Sequence, residues 1–299
     1  MLRFLPLLLA LACASRPSPP LVEAHRTGAG YWPENSRHGV EAALVADFDG
    51  IEVDLVLTRD LIPVLHHDPA VSTEHCTMAD GSRVPKDYLI RDHTFAELEA
   101  QVRCGGTPVE AFPEALVLED SLLSFDEMLL MIRELGSDDI VIHLDVKQEP
   151  GITLPVEAYA EAIVGRWVQA DLPQRVHVSS NLPDVLIGFR SEGSLHGISL
   201  ETTLIWPRFP VGGSTSAVAL RREGALLAGT EDYVALADEA GADHIALQWE
   251  LADRHLAAVA QKEGIGVMLW TPDDPDLLDK LSRRWPVDVI ITDYPGDLP

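Results

Sequence analysis

Short apolar, β-branched runs alternate with longer amphipathic stretches through most of this chain. Runs at "LVEAHR", "GIEVDLVL", "IVIHLDV", "RVHVSS", "HGISLETTL", "HIALQW", "IGVMLW" and "DVIITD" predict eight strands. Helical spacing fills most of the intervals, as in Glu34–Ala46, Leu154–Ala170 and Leu251–Glu263. Such repeated alternation predicts a parallel sheet, and closing it into a (β/α)8 TIM barrel removes both of its edges. A doubly wound open sheet is the alternative, but no glycine-rich phosphate fingerprint accompanies it. A length of 299 residues suits one such barrel, which typically needs ~250.

A ninth run, "IPVLHH" from Ile62, breaks the rhythm. Only Thr58, Arg59, Asp60 and Leu61 separate it from the preceding strand, too few for a crossover helix, so the two form a hairpin. Folding back about that turn returns His66 and His67 beside Glu52 and Asp54, with His66 pointing away from His67 by strand alternation. Residues 69–124 follow as a long, turn-rich insertion on the catalytic face, with a short helix predicted over Thr94–Val102. A second irregular stretch, "IWPRFPVGGSTS", is placed to form a lid over the pocket. The insertion and the lid are expected to shape the pocket together.

The opening "MLRFLPLLLALACASRPSPP" is not fold material. Arg3 precedes an apolar run, Phe4 to Ala12, too short to span a bilayer, and Ala12-Cys13-Ala14 forms an A-x-A cleavage site. Residues 1–14 are therefore expected to be a signal peptide, with the barrel over residues 21–299. The chain is expected to be exported, periplasmic or secreted, with no transmembrane span once mature. A lipoprotein anchored through Cys13 is the alternative. Either route leaves Cys76 and Cys104, which in an oxidising compartment are expected to pair; two separate buried thiols are the other reading.

Nearly half the residues are apolar (46%), so a large core can be buried. The net charge of -26 excludes nucleic acid as a partner, because binding it requires Lys and Arg to neutralise phosphates. It also disfavours adhesion to anionic membrane through a basic patch. An anionic substrate must therefore meet a local cationic pocket or a bound metal.

Glu52 and Asp54 lie two apart on one strand and share a face, and unpaired carboxylates there would cost several kcal/mol. They call for a cation, either a hard metal such as Mg²⁺ or Ca²⁺ or basic side chains. In "IHLDVK", His143, Asp145 and Lys147 alternate inward. Asp145 is a candidate third metal ligand, Lys147 a phosphate clamp and His143 a core histidine. His25 and Arg26 end a strand on the face where barrel enzymes build their sites. The guanidinium can grip a phosphate, while His25 and His67 can serve as general acid and base.

The array "HRTGAGYWPENS", "GIEVDLVLTRDLIPVLHHDP", "DVK", "VMLWTPDD" and "VDVIITDYP" resembles glycerophosphodiester phosphodiesterases in order and spacing from about residue 21 onward. The resemblance implies a (β/α)8 barrel and metal-dependent cleavage of a glycerophosphodiester to sn-glycerol 3-phosphate and an alcohol. The expected partner is a small-molecule glycerophosphodiester or lysolipid, the lysolipid being the substrate of the phospholipase D-like alternative. By position it implies His25 and His67 as the catalytic pair, and Arg26, Lys147 and Trp270 as substrate contacts. Glu52, Asp54 and Asp145 match the ligands of a divalent metal, Ca²⁺ or Mg²⁺, with Glu34 supporting. Thr27 stands where the family usually has Gly, and Asp145 where Glu is more frequent. The Asp-x-Lys pattern keeps sphingomyelinase D-like phospholipases as an alternative, which an exposed loop at Trp206, Phe209 and Pro210 would favour. A non-catalytic, phosphodiester-binding envelope protein is the remaining one.

Overall fold

Strand β1 (Leu21–Ala24) is followed by helix α1 (Arg37–Ala46), strand β2 (Gly50–Leu57) and the short hairpin strand β3 (Pro63–Leu65). The next segment holds β4 (Cys76–Met78), α2 (Phe95–Gln101) and β5 (Val102–Cys104), and ends at α3 (Phe125–Leu135). Alternation then resumes with β6 (Val141–Val146), α4 (Val156–Ala170), β7 (Arg175–Ser180), α5 (Pro183–His196) and β8 (Glu201–Ile205). A small ribbon, β9 (Arg221–Arg222) and β10 (Ala225–Leu226), precedes α6 (Thr230–Glu239). The chain closes with β11 (His244–Gln248), α7 (Arg254–Lys262), β12 (Gly266–Trp270), α8 (Pro275–Arg284) and β13 (Val289–Thr292). This computed structural model describes residues 19–206, 221–222, 225–226, 230–250, 252 and 254–297. The expected signal peptide, Cys13, Phe209 and Pro210 lie outside the described residues.

Eight strands pair in parallel in the order β1, β13, β12, β11, β8, β7, β6, β2, and β2 closes back on β1. The fold is thus a (β/α)8 barrel. β3 pairs antiparallel with β2, Leu55 against Leu65 and Val56 against Val64. Thr58 accepts the Ile62 N–H on its hydroxyl and donates its own N–H to the Ile62 carbonyl, which pins the turn. The same hairpin brings the His66 N–H to the Asp54 carbonyl at 3.1 Å. No described helix is long and apolar enough to cross a membrane.

Local chemistry sets the helix starts. α1 begins at Arg37, not Glu34, because Ser36 accepts the Gly39 N–H as N-cap and Asn35 takes a left-handed φ of 53°. Glu34 and Asn35 are thereby left in the loop. α4 starts at Val156, two residues after the expected Leu154, behind an extended Pro155. α7 ends at Lys262, one residue before the expected Glu263, and Leu251 lies outside the described residues. α2 and α3 both open on capping boxes, Thr94 with Glu97 and Ser124 with Glu127.

Outward strand residues such as Ile51, Val53 and Leu55 join the helices in one core, and Ile245, Leu247 and Val267 in another. The inward residues are divided. Ala246, Met268, Val289 and Ile291 form an apolar cluster inside the barrel. Glu23, His143, His177 and Thr203, all buried, form a polar lane.

The insertion has its own small core of Val56, Val64, Val71, Val84, Ile90, Leu98, Val102 and Leu122. A disulfide joins Cys76 and Cys104 across β4 and β5, closing a loop with a sequence separation of 28. Closure of a loop that size restricts the unfolded chain by roughly 3–4 kcal/mol. The Cys76→Ala/Cys104→Ala double variant is expected to lose stability of about that size in denaturant titration, with the barrel's far-UV dichroism retained.

Candidate active site

The loop after β1 reverses sharply, because Arg26, Thr27 and Gly28 all adopt positive φ, at 47°, 70° and 97°. A β-branched residue seldom takes this conformation. Thr27 is fully buried there, donates its hydroxyl to the Arg26 carbonyl and accepts the Trp32 indole N–H on its own carbonyl. The turn directs His25 and Arg26 to different partners. His25 Nδ1 lies 2.8 Å from Asp293 Oδ1, just past β13. The Arg26 N–H donates to Glu52 Oε2 at 2.7 Å, and its Nη1 donates to Glu34 Oε2 at 2.8 Å.

On β2 and β6 the register sets Glu52 beside His143 and Asp54 beside Asp145. Oxygens of Glu52, Asp54 and Asp145 come within 4.8 Å of one another. Asn35 Nδ2 donates to Asp54 Oδ2 at 2.7 Å, and Asn35 Oδ1 accepts the Asp54 N–H. Lys147 Nζ sits 2.9 Å from Asp54 Oδ1 and also donates to Asp145. Arg26 Nε lies 3.5 Å from Asp54 Oδ2.

These partners split the carboxylates. Burial alone would raise the Asp54 carboxyl, but Lys147, His67 and Arg26 outweigh it and hold it well below the usual range. Burial works against the Lys147 ammonium, yet Asp145 and Asp54 lift it above its ordinary value. Burial, with repulsion from Asp54 and Asp145, pushes Glu52 up to about 7. Arg26 and Lys147 therefore leave negative charge uncompensated at Glu52. An all-oxygen donor set with excess negative charge fits a hard divalent cation.

His25, Arg26, Glu52, His67, Asp145, Lys147 and Trp270 line one cavity of about 450 Å³. That volume lies within the range of small-molecule sites. Asp54 stands behind this wall. Glu34 stays outside the cavity and acts on Arg26 instead. His66 faces a separate small cavity beside the disulfide, with its Nδ1 2.9 Å from the Asp68 carbonyl. The insertion, expected to shape the pocket, adds no lining residue between 70 and 124 among the described residues. Gln148, Glu149, Asn181 and Trp206, from the loops after β6, β7 and β8, do so. His143 behaves largely as the expected core histidine, with Nδ1 bonded to Glu23, though its ring also reaches the cavity floor.

Sequence reasoning missed Asn35, Asp293 and Asp68 as working residues. Asn35 stood in the quoted "PEN" and Asp293 in "TDYP", each next to residues that drew attention. Asp68 Oδ1 lies 2.7 Å from His67 Nδ1.

Residues 25–297 match the glycerophosphoryl diester phosphodiesterase family. The chain belongs to this family. With it the chain joins the phosphoric diester hydrolases, and the family's metal dependence agrees with the carboxylate trio described above. No match was found among curated proteins. Solved structures give a likeness of fold. A Silicibacter pomeroyi protein assigned to the glycerophosphoryl diester phosphodiesterases is 23% identical, over 94% of this chain and 92% of its own, with a TM-score of 0.79. An Oleispira antarctica phosphodiesterase, in complex with the product sn-glycerol-3-phosphate, is 20% identical over 93% and 94%, with a TM-score of 0.69. The glycerophosphodiester phosphodiesterase of Thermotoga maritima is 21% identical over 92% and 95%, with a TM-score of 0.58. Within this phosphodiesterase, Thr27 keeps the left-handed turn that the family's usual Gly would adopt freely.

The His25–Asp293 pair generates a prediction with a definite sign. Burial lowers the His25 imidazole, but the Asp293 charge and hydrogen bond outweigh it, so the net shift is upward. From an ordinary value of about 6.5, the pair's stabilisation is complete below that pH and is lost as pH rises through the folded value. Asp293→Asn is expected to lower the His25 pKa in an NMR titration. It should cost about 1–2 kcal/mol in acid, with a smaller difference from wild type in alkali.

Proposed function

We propose that this phosphodiesterase hydrolyses glycerophosphodiesters to sn-glycerol 3-phosphate and an alcohol, using His25 and His67 as its proton-transfer pair. One observation carries the reading. Each histidine holds Nδ1 on an aspartate, His25 on Asp293 and His67 on Asp68, while its ring lines the cavity of the carboxylate trio. A carboxylate on Nδ1 fixes the ring and leaves Nε2 to exchange the proton. The product held by the Oleispira antarctica enzyme supports the glycerol phosphate half.

One histidine takes a proton from the attacking hydroxyl, of water or of the glycerol itself. The other gives a proton to the departing alkoxide, and each transfer is worth about 10²–10⁴-fold in rate. Arg26 and Lys147 face the developing negative charge at phosphorus from fixed positions, so little reorganisation is needed when it forms. Glu52, Asp145 and Asp54 would hold a divalent ion, Ca²⁺ or Mg²⁺, which would supply further positive charge for the phosphoryl oxygens. Trp270 and Trp206 give the cavity an apolar wall for the carbon skeleton. The disulfide supports an exported enzyme, since such bonds persist in oxidising compartments.

Glycerophosphocholine turnover tests the reading. His25→Ala and His67→Ala are each expected to lower kcat/KM by about 10²–10⁴-fold. Chelation is expected to abolish turnover and Ca²⁺ or Mg²⁺ to restore it. Activity that survives both single substitutions would overturn the two-histidine assignment.

A further inference from the structure

Below the catalytic layer, the barrel interior holds metal-binding side chains that the hydrolysis does not use. His177 of β7, Glu201 of β8 and His244 of β11 bring ligand atoms within 4.8 Å of one another. The register produces this grouping, with His177 beside Glu201 and His244 beside Thr203 on the two sides of β8. Glu201 and His244 are the first residues of their strands, so the group lies at the barrel's N-terminal mouth, opposite the active site. We infer that His177, His244 and Glu201 form a second metal site, for a transition metal such as Zn²⁺.

Ring geometry supports this. Two imidazoles on one zinc at ~2.1 Å and a tetrahedral angle place their ring centres about 5 Å apart. The His177 and His244 rings are 5.0 Å apart and tilted by 46°. A Cβ at Gly266 would lie 2.1 Å from His244 Cδ2 and 2.7 Å from its Nε2. That edge of the ring therefore rests over β12, and the opposite edge, with Nδ1, faces β8 and His177. His244 Nδ1 is buried and has no hydrogen-bond partner among the described residues. The Thr203 hydroxyl sits on His177 Nε2, as the outer partners of metal-bound histidines do.

The surroundings favour a cation. Burial holds the His244 imidazole below its ordinary value against the pull of four nearby carboxylates, Glu201, Asp288, Asp243 and Glu23, and Arg175 is 3.6 Å from Glu201. Burial and the flanking His143 and His244 keep His177 neutral, with a lone pair to donate. Two neutral imidazoles and a carboxylate form a borderline-soft set, unlike the three carboxylates above, so the two sites select different ions. Tetrahedral ligands on zinc stand roughly 3.4 Å apart, a separation that the three groups, within 4.8 Å of one another, can reach by small side-chain movements.

Equilibrium dialysis against Zn²⁺, with excess Ca²⁺ present, tests the site on the full-length protein. Visible absorption of a Co²⁺-substituted sample reports the geometry. The wild type is expected to retain one zinc and to show tetrahedral cobalt bands, and Asp145→Asn should do the same. His244→Gln and Glu201→Gln lie at partly exposed positions and are each expected to weaken zinc binding at least tenfold, with the dichroism of the folded barrel unchanged. Failure of the wild type to hold zinc would overturn the site. So would wild-type affinity in either variant, or loss of the metal in Asp145→Asn.

Discussion

A carboxylate with almost no access to water, Asp54, holds the active end of this barrel together. It is 1% exposed, and burying such a charge is strongly unfavourable unless partners surround it. The three partners come from two separate segments: Asn35 and Arg26 from the loop after β1, and Lys147 from just past β6. Each segment takes a shape that the partnership requires. Arg26 and Asn35 both accept left-handed backbone, and α1 waits until Arg37 so that Asn35 can reach back. Moving any one of the three partners would therefore expose or unpair Asp54.

The same constraint explains how a protein of net charge -26 can accept an anionic phosphodiester. Most of its surface repels such a ligand. Arg26 and Lys147 are held charged by the carboxylates beside them and cannot be lost to deprotonation near neutral pH. Their positive charge is directed into a confined cavity, where the low-dielectric walls strengthen it. Glu52, raised to about 7, marks where that compensation stops and where a divalent ion fits.

The eight-strand barrel was legible because parallel strands buried on both faces read as apolar runs, and the intervals between them are long enough for helices. Inward charges at Glu52, Asp54 and Asp145 were legible for the opposite reason, since they interrupt those runs at a spacing of two. Asn35, Asp68 and Asp293 were not, because each is a common loop residue whose role depends on a contact made by folding. Asp293 meets His25 across 268 positions of sequence, and no local pattern encodes that distance. The start of α1 was misplaced for a related reason: helical spacing continued through Glu34, and the Ser36 cap decided otherwise. The insertion's turn-rich composition placed it after the hairpin, but could not say that its core packs on Val56 and Val64, away from the cavity.

Alternation along the strands links the catalytic layer to what lies below it. β1 carries Glu23 one step beneath His25, β6 carries His143 beneath Asp145, and β7 carries His177 beneath Ser179. Gly50 and Gly266 make this lower layer possible, because a Cβ at either would collide with Glu23 or His244. Small residues on one strand thus admit large polar ones on its neighbour. The Glu23–His143 pair satisfies itself under the carboxylate trio, and in doing so it closes the cavity floor without adding net charge there when the imidazole is protonated. Burial lowers that imidazole, but Glu23 outweighs it and favours the protonated form. The polar lane is therefore compatible with a catalytic layer whose own charge is already in excess. An apolar lane would also have sealed the floor, as Met268 and Ile291 do on the other side, but it could not have offered the His143 ring to the cavity.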